Sequence, residues 1–370
     1  MEAFFEFEKP IVALEKKLQD LRDIAKQEGV DFGNEIKLLE KRVAALIEET
    51  YANLGAWQRV QLSRHPNRPY ARDYVDAIFP DFQEICGDRT FGDDPAILGG
   101  VGTFKGVPVM ILANQKGRTT KQKMERSFGM AKPEGYRKAI RLMNLAKRSR
   151  MPILTLIDTP GAFPGIEAEE RGQAQAIAES IRTLFEVDVP VFALVIGEGG
   201  SGGALALGVA DHVAMLEYST YSVISPESCA AILFSDSSQA ESTAEKMRLT
   251  PPDLMKLGVI DSVIEEPLGG SHRDWEATFK LVLKALEKSF APLIDGFASE
   301  KPAAKVAKTS KASKSKANKA PKAAKKTVDL RDSRLEKFRK IGKFALAHTP
   351  ASGFDDSAEI GPDGTGDGNA

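Results

Sequence analysis

The run Ile196-Gly197-Glu198-Gly199-Gly200-Ser201-Gly202-Gly203-Ala204-Leu205-Ala206 carries five glycines in seven residues. It follows an apolar stretch over 191–196, behind Pro190, and opens into Ala/Leu-rich residues. It therefore reads as a strand turning into a helix. Without Cβ atoms, such a turn lets a ligand approach the main chain closely. The first N–H groups of the helix stay free at the positive end of its dipole. They can hold an anion, or stabilise an oxyanion as it forms. Close backbone packing is one alternative. A dinucleotide site is another, because Gly197, Gly199 and Gly202 spell G-x-G-x-x-G and Glu217 could serve as the ribose acid. That fingerprint usually follows the first strand of a fold, and here it sits late in the chain.

A second turn belongs with the first. Residues 153–158 form a buried-strand pattern that ends in Thr159-Pro160-Gly161-Ala162-Phe163-Pro164-Gly165. Two prolines and two glycines predict a rigid, exposed turn at the C-terminal end of a strand, where open α/β sheets place their sites. Asp158-x-x-Gly161 is similar to a GTPase switch, but no G-x-x-x-x-G-K-[ST] accompanies it. Lys116, Arg118, Lys132, Arg137 and Lys138 form a basic set that could neutralise carboxylate or phosphate groups, with a solvated face as the alternative. Asp158 and Glu198 read as capping or loop hydrogen-bond partners. His65, His212, His272 and His348 show no ligand spacing, and Cys86 and Cys229 are too few for a zinc module or a disulfide framework. No metal site is expected in this chain.

The elements that must position these turns follow from periodicity. Residues 1–55 predict a helical hairpin. Ile11, Leu14, Leu18 and Leu21 form one apolar stripe, and Ile36, Leu39, Val43, Leu46 and Ile47 form the other. The segment Arg64-His65-Pro66-Asn67-Arg68-Pro69-Tyr70 reads as a solvated basic loop. Residues 56–298 predict one α/β domain with parallel strands. Its strands fall at 96–104, 107–114, 153–158, 191–196, 212–216, 221–224 and 259–264, with helices between them and a last helix over 271–296. Residues 299–327 hold ten lysines and one acid among Ala and Ser, and read as a disordered linker able to attract polyanions, nucleic acid included. Residues 328–348 predict a short basic helix with Leu335, Phe338 and Ile341 at spacing three, and 349–370 an acidic disordered end. The net charge of −1 thus hides a body and acidic end that together carry −10. No run of 18 apolar residues and no signal-peptide pattern occurs, so no membrane span is expected and a cytoplasmic setting is.

Taken together, these words resemble the alpha subunits of the bacterial and plastid-type acetyl-coenzyme A carboxylase carboxyltransferase. The resemblance runs over about residues 5–270. It rests on Asn114-Gln115-Lys116-Gly117-Arg118, Phe128-Gly129-Met130, Pro133-Glu134-Gly135-Tyr136-Arg137-Lys138-Ala139, the two turns, Glu169-Glu170-Arg171-Gly172-Gln173, Tyr218-Ser219-Thr220-Tyr221-Ser222 with Val223-Ile224-Ser225-Pro226-Glu227, and Glu266-Pro267-Leu268-Gly269-Gly270. It implies a crotonase-like fold, a spiral of ββα units. It implies transfer of a carboxyl group from carboxybiotin, carried on a separate biotin carboxyl carrier protein, to acetyl-CoA, giving malonyl-CoA for fatty acid biosynthesis. It also implies an alpha2-beta2 heterotetramer working with a biotin carboxylase, in which a homologous, zinc-bearing beta subunit supplies the CoA side. On this resemblance the backbone at Gly202 and Gly203 supplies the oxyanion donors. Gly161, Ala162, Phe163, Pro164, Gly165, Gly199, Gly200 and Ser201 would bound the carboxybiotin pocket, with Phe163 against the biotin ring. A crotonase-type hydratase or decarboxylase acting without biotin is the alternative. The acidic end departs from the family pattern.

Overall fold

The computed structural model describes residues 4–28, 31–299 and 329–342. The lysine-rich stretch from residue 300 and the acidic end lie outside the described residues. A 3-10 turn, Glu6–Glu8, leads into α1 (Lys9–Glu28), and α2 (Gly33–Ala52) returns beside it. Ile11 and Leu18 meet Val43, Ile47 and Tyr51, the seam that the three-four spacing predicts. Leu62 and Tyr218 of the main body join this seam, so the hairpin is packed on the body.

The chain then passes through α3 (Ala56–Ser63) and α4 (Ala71–Ile78). The segment between them is not a solvated loop. His65 and Arg68 are buried. The Arg68 guanidinium donates to both oxygens of Glu266, at 2.8 and 2.7 Å, and to the Ile196 carbonyl at 2.9 Å. A partner 198 residues away cancels the cost of burying the charge, and no local pattern could announce it.

Next come β1 (Gln83–Glu84), β2 (Ile97–Phe104), β3 (Val107–Asn114), α5 (Thr120–Glu125), α6 (Pro133–Ser149), β4 (Ile153–Thr159), α7 (Ile166–Glu170), α8 (Gln173–Glu186), β5 (Val191–Gly200) and α9 (Ser201–Gly208). They are followed by β6 (His212–Leu216), β7 (Thr220–Ser222), α10 (Pro226–Phe234), α11 (Ala240–Lys246), α12 (Pro251–Lys256), β8 (Ser262–Ile264), α13 (Trp275–Ser299) and α14 (Leu330–Lys340). The sheet runs β1-β2-β3-β4-β5-β6-β8, and β7 pairs with the far end of β5. β1 to β3 are antiparallel; every pairing from β3 onward is parallel. Strand alternation divides the core in two. Met110, Leu112, Ile153, Val191, Ala193 and Val195 face α6, α8 and α9, while Val109, Ile111, Leu154, Leu156, Phe192 and Leu194 face α4 and α13.

Several boundaries differ from the sequence expectation. β5 continues four residues past Ile196 to Gly200, because β7 and a bulge against Thr159 pair its glycine end. β7 is shorter and earlier than 221–224, and β8 keeps only the end of 259–264. The helix expected from residue 271 begins at Trp275 and runs through Pro292. α5, α7 and α10 were not expected; each is short, and its sequence lacks a full apolar period.

Candidate functional site

The two turns meet where β4 and β5 end. The Thr159 hydroxyl donates to the Gly161 carbonyl at 2.7 Å and accepts the Gly161 N–H at 3.1 Å. The Phe163 N–H donates to the Ala131 carbonyl at 3.0 Å. The Gln173 amide donates to the Ala131 and Phe163 carbonyls, at 2.9 and 3.0 Å. The loop is thus held from both sides. The half-buried Phe163 ring folds back on Gly165, where a Cβ would lie 2.2 Å from Cε1, and Lys132 Nζ sits 4.8 Å from its centroid.

The glycines of the second turn divide by role. A Cβ on Gly200 would lie 2.1 Å from the Pro160 carbonyl oxygen, and one on Gly203 would lie 2.5 Å from the Gly161 carbonyl carbon. Gly197 makes room for Asp158 Oδ1, and Gly199 for the Tyr221 ring. Close packing therefore accounts for these four. Gly202 is different. Its Cβ would meet only Ile177 Cγ2, at an ordinary 3.5 Å, and Ile177 Cδ1 beyond it. Before it, exposed Ser201 holds φ +53°, a left-handed conformation that a side chain rarely adopts. No side chain caps α9, and the N–H groups of its first turn have no partner inside the helix.

Beside these turns lies a cleft of about 590 Å³. Arg64, Tyr70, Lys116, Pro160, Glu198 and Glu227 are among the residues that line it. A smaller hollow continues it past Pro160 to Gly199 and Gly200. Lys116 Nζ lies 2.7 Å from Asp158 Oδ1 and 3.8 Å from Glu198 Oε1. Burial works against the Lys116 ammonium, but the Asp158 and Glu198 carboxylates outweigh it and hold its pKa above the ordinary lysine value. Asp158 and Glu198 are thus ion partners as well as loop hydrogen-bond groups.

The other members of the basic set have partners within the chain, and of them Lys132 lies against the Phe163 ring of the first turn. Arg118 lies between the Tyr70 and Trp275 rings and pairs with Asp73. Lys132 lies 3.6 Å from Glu167. Arg137 donates to the Arg171 carbonyl. Lys138 is buried, 2.6 Å from Asp93 Oδ1 and 2.8 Å from the Asp94 carbonyl. Each of these four thus already has a partner within the chain. Arg64 stands in the segment that reads as a solvated loop and Glu227 in the words that carry the resemblance, and nothing in their spacing marks either as a site residue.

Among the described residues, one group of three could bring metal ligands together: Glu8, His65 and His272. Sequence spacing gave no sign of it. Glu8 Oε1 already accepts the Tyr51 hydroxyl at 2.7 Å and lies 3.2 Å from His272 Nε2, and the two imidazole rings lie 4.1 Å apart, tilted by 35°. This cluster braces the hairpin against the start of the last long helix.

Residues 4–313 match the model of the acetyl co-enzyme A carboxylase carboxyltransferase-like family. The acetyl-coenzyme A carboxylase carboxyl transferase subunit alpha of Actinobacillus pleuropneumoniae is 57% identical over 272 residues, 73% of this chain and 86% of that protein. Its counterpart in Aliivibrio salmonicida is 53% identical over 300 residues, 80% of this chain and 94% of that protein. Among solved structures, transcarboxylase 12S superposes with a TM-score of 0.50 at 21% identity, over 68% of this chain and 44% of that one. A Pseudomonas malonate decarboxylase hetero-tetramer in complex with coenzyme A gives 0.50 at 17% identity, over 60% and 87%. These two establish the fold, which is the crotonase-like one that the sequence resemblance implies. Matched over most of its length by the family and by relatives more than half identical to it, the chain belongs to the family of acetyl-CoA carboxylase carboxyltransferase alpha subunits.

Proposed function

We infer that this chain is the alpha half of a two-subunit carboxyltransferase, which moves a carboxyl group from carboxybiotin to acetyl-CoA and so makes malonyl-CoA. Carboxybiotin, delivered on its carrier protein, supplies the carboxyl group, and negative charge gathers on its ureido oxygen as that group leaves. The main-chain N–H groups of Gly202 and Gly203 are the donors to that oxygen, each contributing roughly 3–4 kcal/mol to the transition state. Gly161, Ala162, Phe163, Pro164 and Gly165 wall the pocket, and Gly199, Gly200 and Ser201 form its approach. The CoA side comes from a homologous, zinc-bearing beta subunit in an alpha2-beta2 assembly, and a biotin carboxylase recharges the carrier. The activity belongs in the cytoplasm; both cysteines are unpaired, which suits a reducing compartment. No described helix is long and apolar enough to cross a membrane.

One observation carries the reading beyond family membership. Gly202 is a glycine that this chain's own packing does not require. A glycine there is explained by something that approaches the main chain from outside. The test is carboxyl transfer by the full chain reconstituted with a beta subunit and carboxybiotin-loaded carrier. Wild type should transfer, and Gly202→Val should lose about a hundredfold in kcat while still binding the beta subunit. Near-normal turnover in that variant would show that the donors lie elsewhere. Full activity of the purified chain without beta subunit or carrier would point to a biotin-independent acyl-CoA enzyme instead.

A further inference from the structure

A line of alternating charge crosses the end of the sheet. It starts at Asp158 near the end of β4 and passes to Lys116, just beyond β3, at 2.7 Å. Lys116 Nζ lies 3.8 Å from Glu198 Oε1. The other Glu198 oxygen meets Arg64 Nε, and Arg64 then forks onto both oxygens of Glu227 in the first turn of α10. Asp158, Lys116 and Glu198 are largely buried, whereas Arg64 and Glu227 are about a third exposed on the cleft wall. Each cation has a carboxylate on both sides, so the line is no receptor for a further anion.

What it holds is the bulged end of β5. Asp158 Oδ1 also accepts the Glu198 N–H at 3.0 Å, in the space that a Gly197 side chain would fill. The register between β4 and β5 shifts between the pairs Ile157–Val195 and Thr159–Gly199, which flank these two acids. Glu198 thus has both its main chain and its side chain fixed, three residues before Ser201 and its left-handed turn. A displacement of about 1 Å in such a turn is enough to cost on the order of a hundredfold in rate.

We propose that Glu198, gripped between Lys116 and Arg64, is a positioning residue that sets where the first N–H groups of α9 point. The proposal rests on the carboxyltransferase reading above. Neutralising Glu198 leaves Lys116 on Asp158 and Arg64 on Glu227, so no buried charge is stranded and the fold survives.

The experiment uses the full chain in complex with its beta subunit and compares wild type, Glu198→Gln, Gly202→Val and the double variant. Glu198→Gln should lower kcat ten- to a hundredfold, with KM for the loaded carrier and affinity for the beta subunit within twofold of wild type. It should add less than threefold to the loss in Gly202→Val, because both act on one turn. A kcat within twofold of wild type overturns the proposal. So does a loss that multiplies fully with that of Gly202→Val, or one that tracks weaker beta-subunit binding. If the wild-type complex transfers no carboxyl group, the functional reading itself fails. A working wild type with a normal Glu198→Gln removes the positioning role alone.

Discussion

Each residue near the two turns has a separable cost. The Cβ of Gly200→Ala would fall 2.1 Å from a carbonyl oxygen of rigid backbone, so Pro160 or β5 must shift. That overpacking should destabilise the chain by about 1–3 kcal/mol in urea unfolding. Gly202→Ala, in ordinary contact with Ile177, should unfold within about 0.5 kcal/mol of wild type. Equal stability of the two variants would contradict this difference in packing. Gly203 is a mixed case, since its Cβ would strike Gly161 and Ala162. A larger side chain there damages folding as well as the proposed donor, so Gly202 is the cleaner probe. Glu8 makes a residue-scale prediction about pH. Burial pushes its carboxyl up, but the bonds from His272, the Phe5 N–H and the Tyr51 hydroxyl outweigh this and hold its pKa at about 2. A carboxyl depressed in the folded state adds stability above its unfolded pKa and loses it as pH falls toward the folded value. Between pH 5 and pH 3, wild type should therefore lose about 2 kcal/mol more than Glu8→Gln. Parallel pH profiles for the two proteins would rule this brace out.

Among the elements, α14 shows how a helix of poor apolar content is held. Leu335 of its spacing-three stripe remains 37% exposed, while Phe338 packs edge-on to Phe185 at 5.5 Å and Leu330, outside the stripe, joins the same core. The anchor is Arg334 instead. It is fully buried, and its guanidinium bonds both oxygens of Asp211, at 2.9 and 2.7 Å, and the carbonyls of Leu184, Val187 and Val189. Every donor of the fork is used, which lysine could not match. Arg334→Ala would strand the Asp211 carboxylate and open the socket. It should cost about 3–5 kcal/mol and make residues 329–342 sensitive to protease at once. Protection equal to wild type would mean that the Phe338 contact and Lys337, whose Nζ bonds the Asp211 carbonyl at 3.1 Å, suffice.

For the whole molecule, charge is the decisive feature. Ten lysines of the 299–327 stretch are offset by an excess of acid elsewhere in the chain. A tract of this composition would draw polyanions by releasing their counterions, with an attraction that falls steeply as salt rises. Replacing residues 300–327 by a neutral Gly/Ser linker of equal length should abolish polyanion binding in a low-salt titration and leave carboxyl transfer by the complex unchanged. Loss of transfer with the beta-subunit complex intact would make the tract part of the working machinery.

The β–turn–α rhythm, the helical hairpin and both turns were legible in the sequence, because each depends on local rules: strand and helix periods, proline and glycine geometry, and capping. The resemblance words carried the family, since matching long strings of residues needs no knowledge of contacts. The tertiary structure alone decided what depends on meetings between distant residues. Arg68 left its solvated loop for Glu266, Arg334 overrode the apolar stripe of its helix, and His65 and His272 met without any spacing to foretell it. Likewise Asp158, Lys116, Glu198, Arg64 and Glu227 come from five separate segments and form one line only at the end of the sheet. The physical reason is the same in each case. A buried charge is tolerable only beside its partner, and the partner's place is set by how strands and helices stack rather than by the residues next to it in the chain.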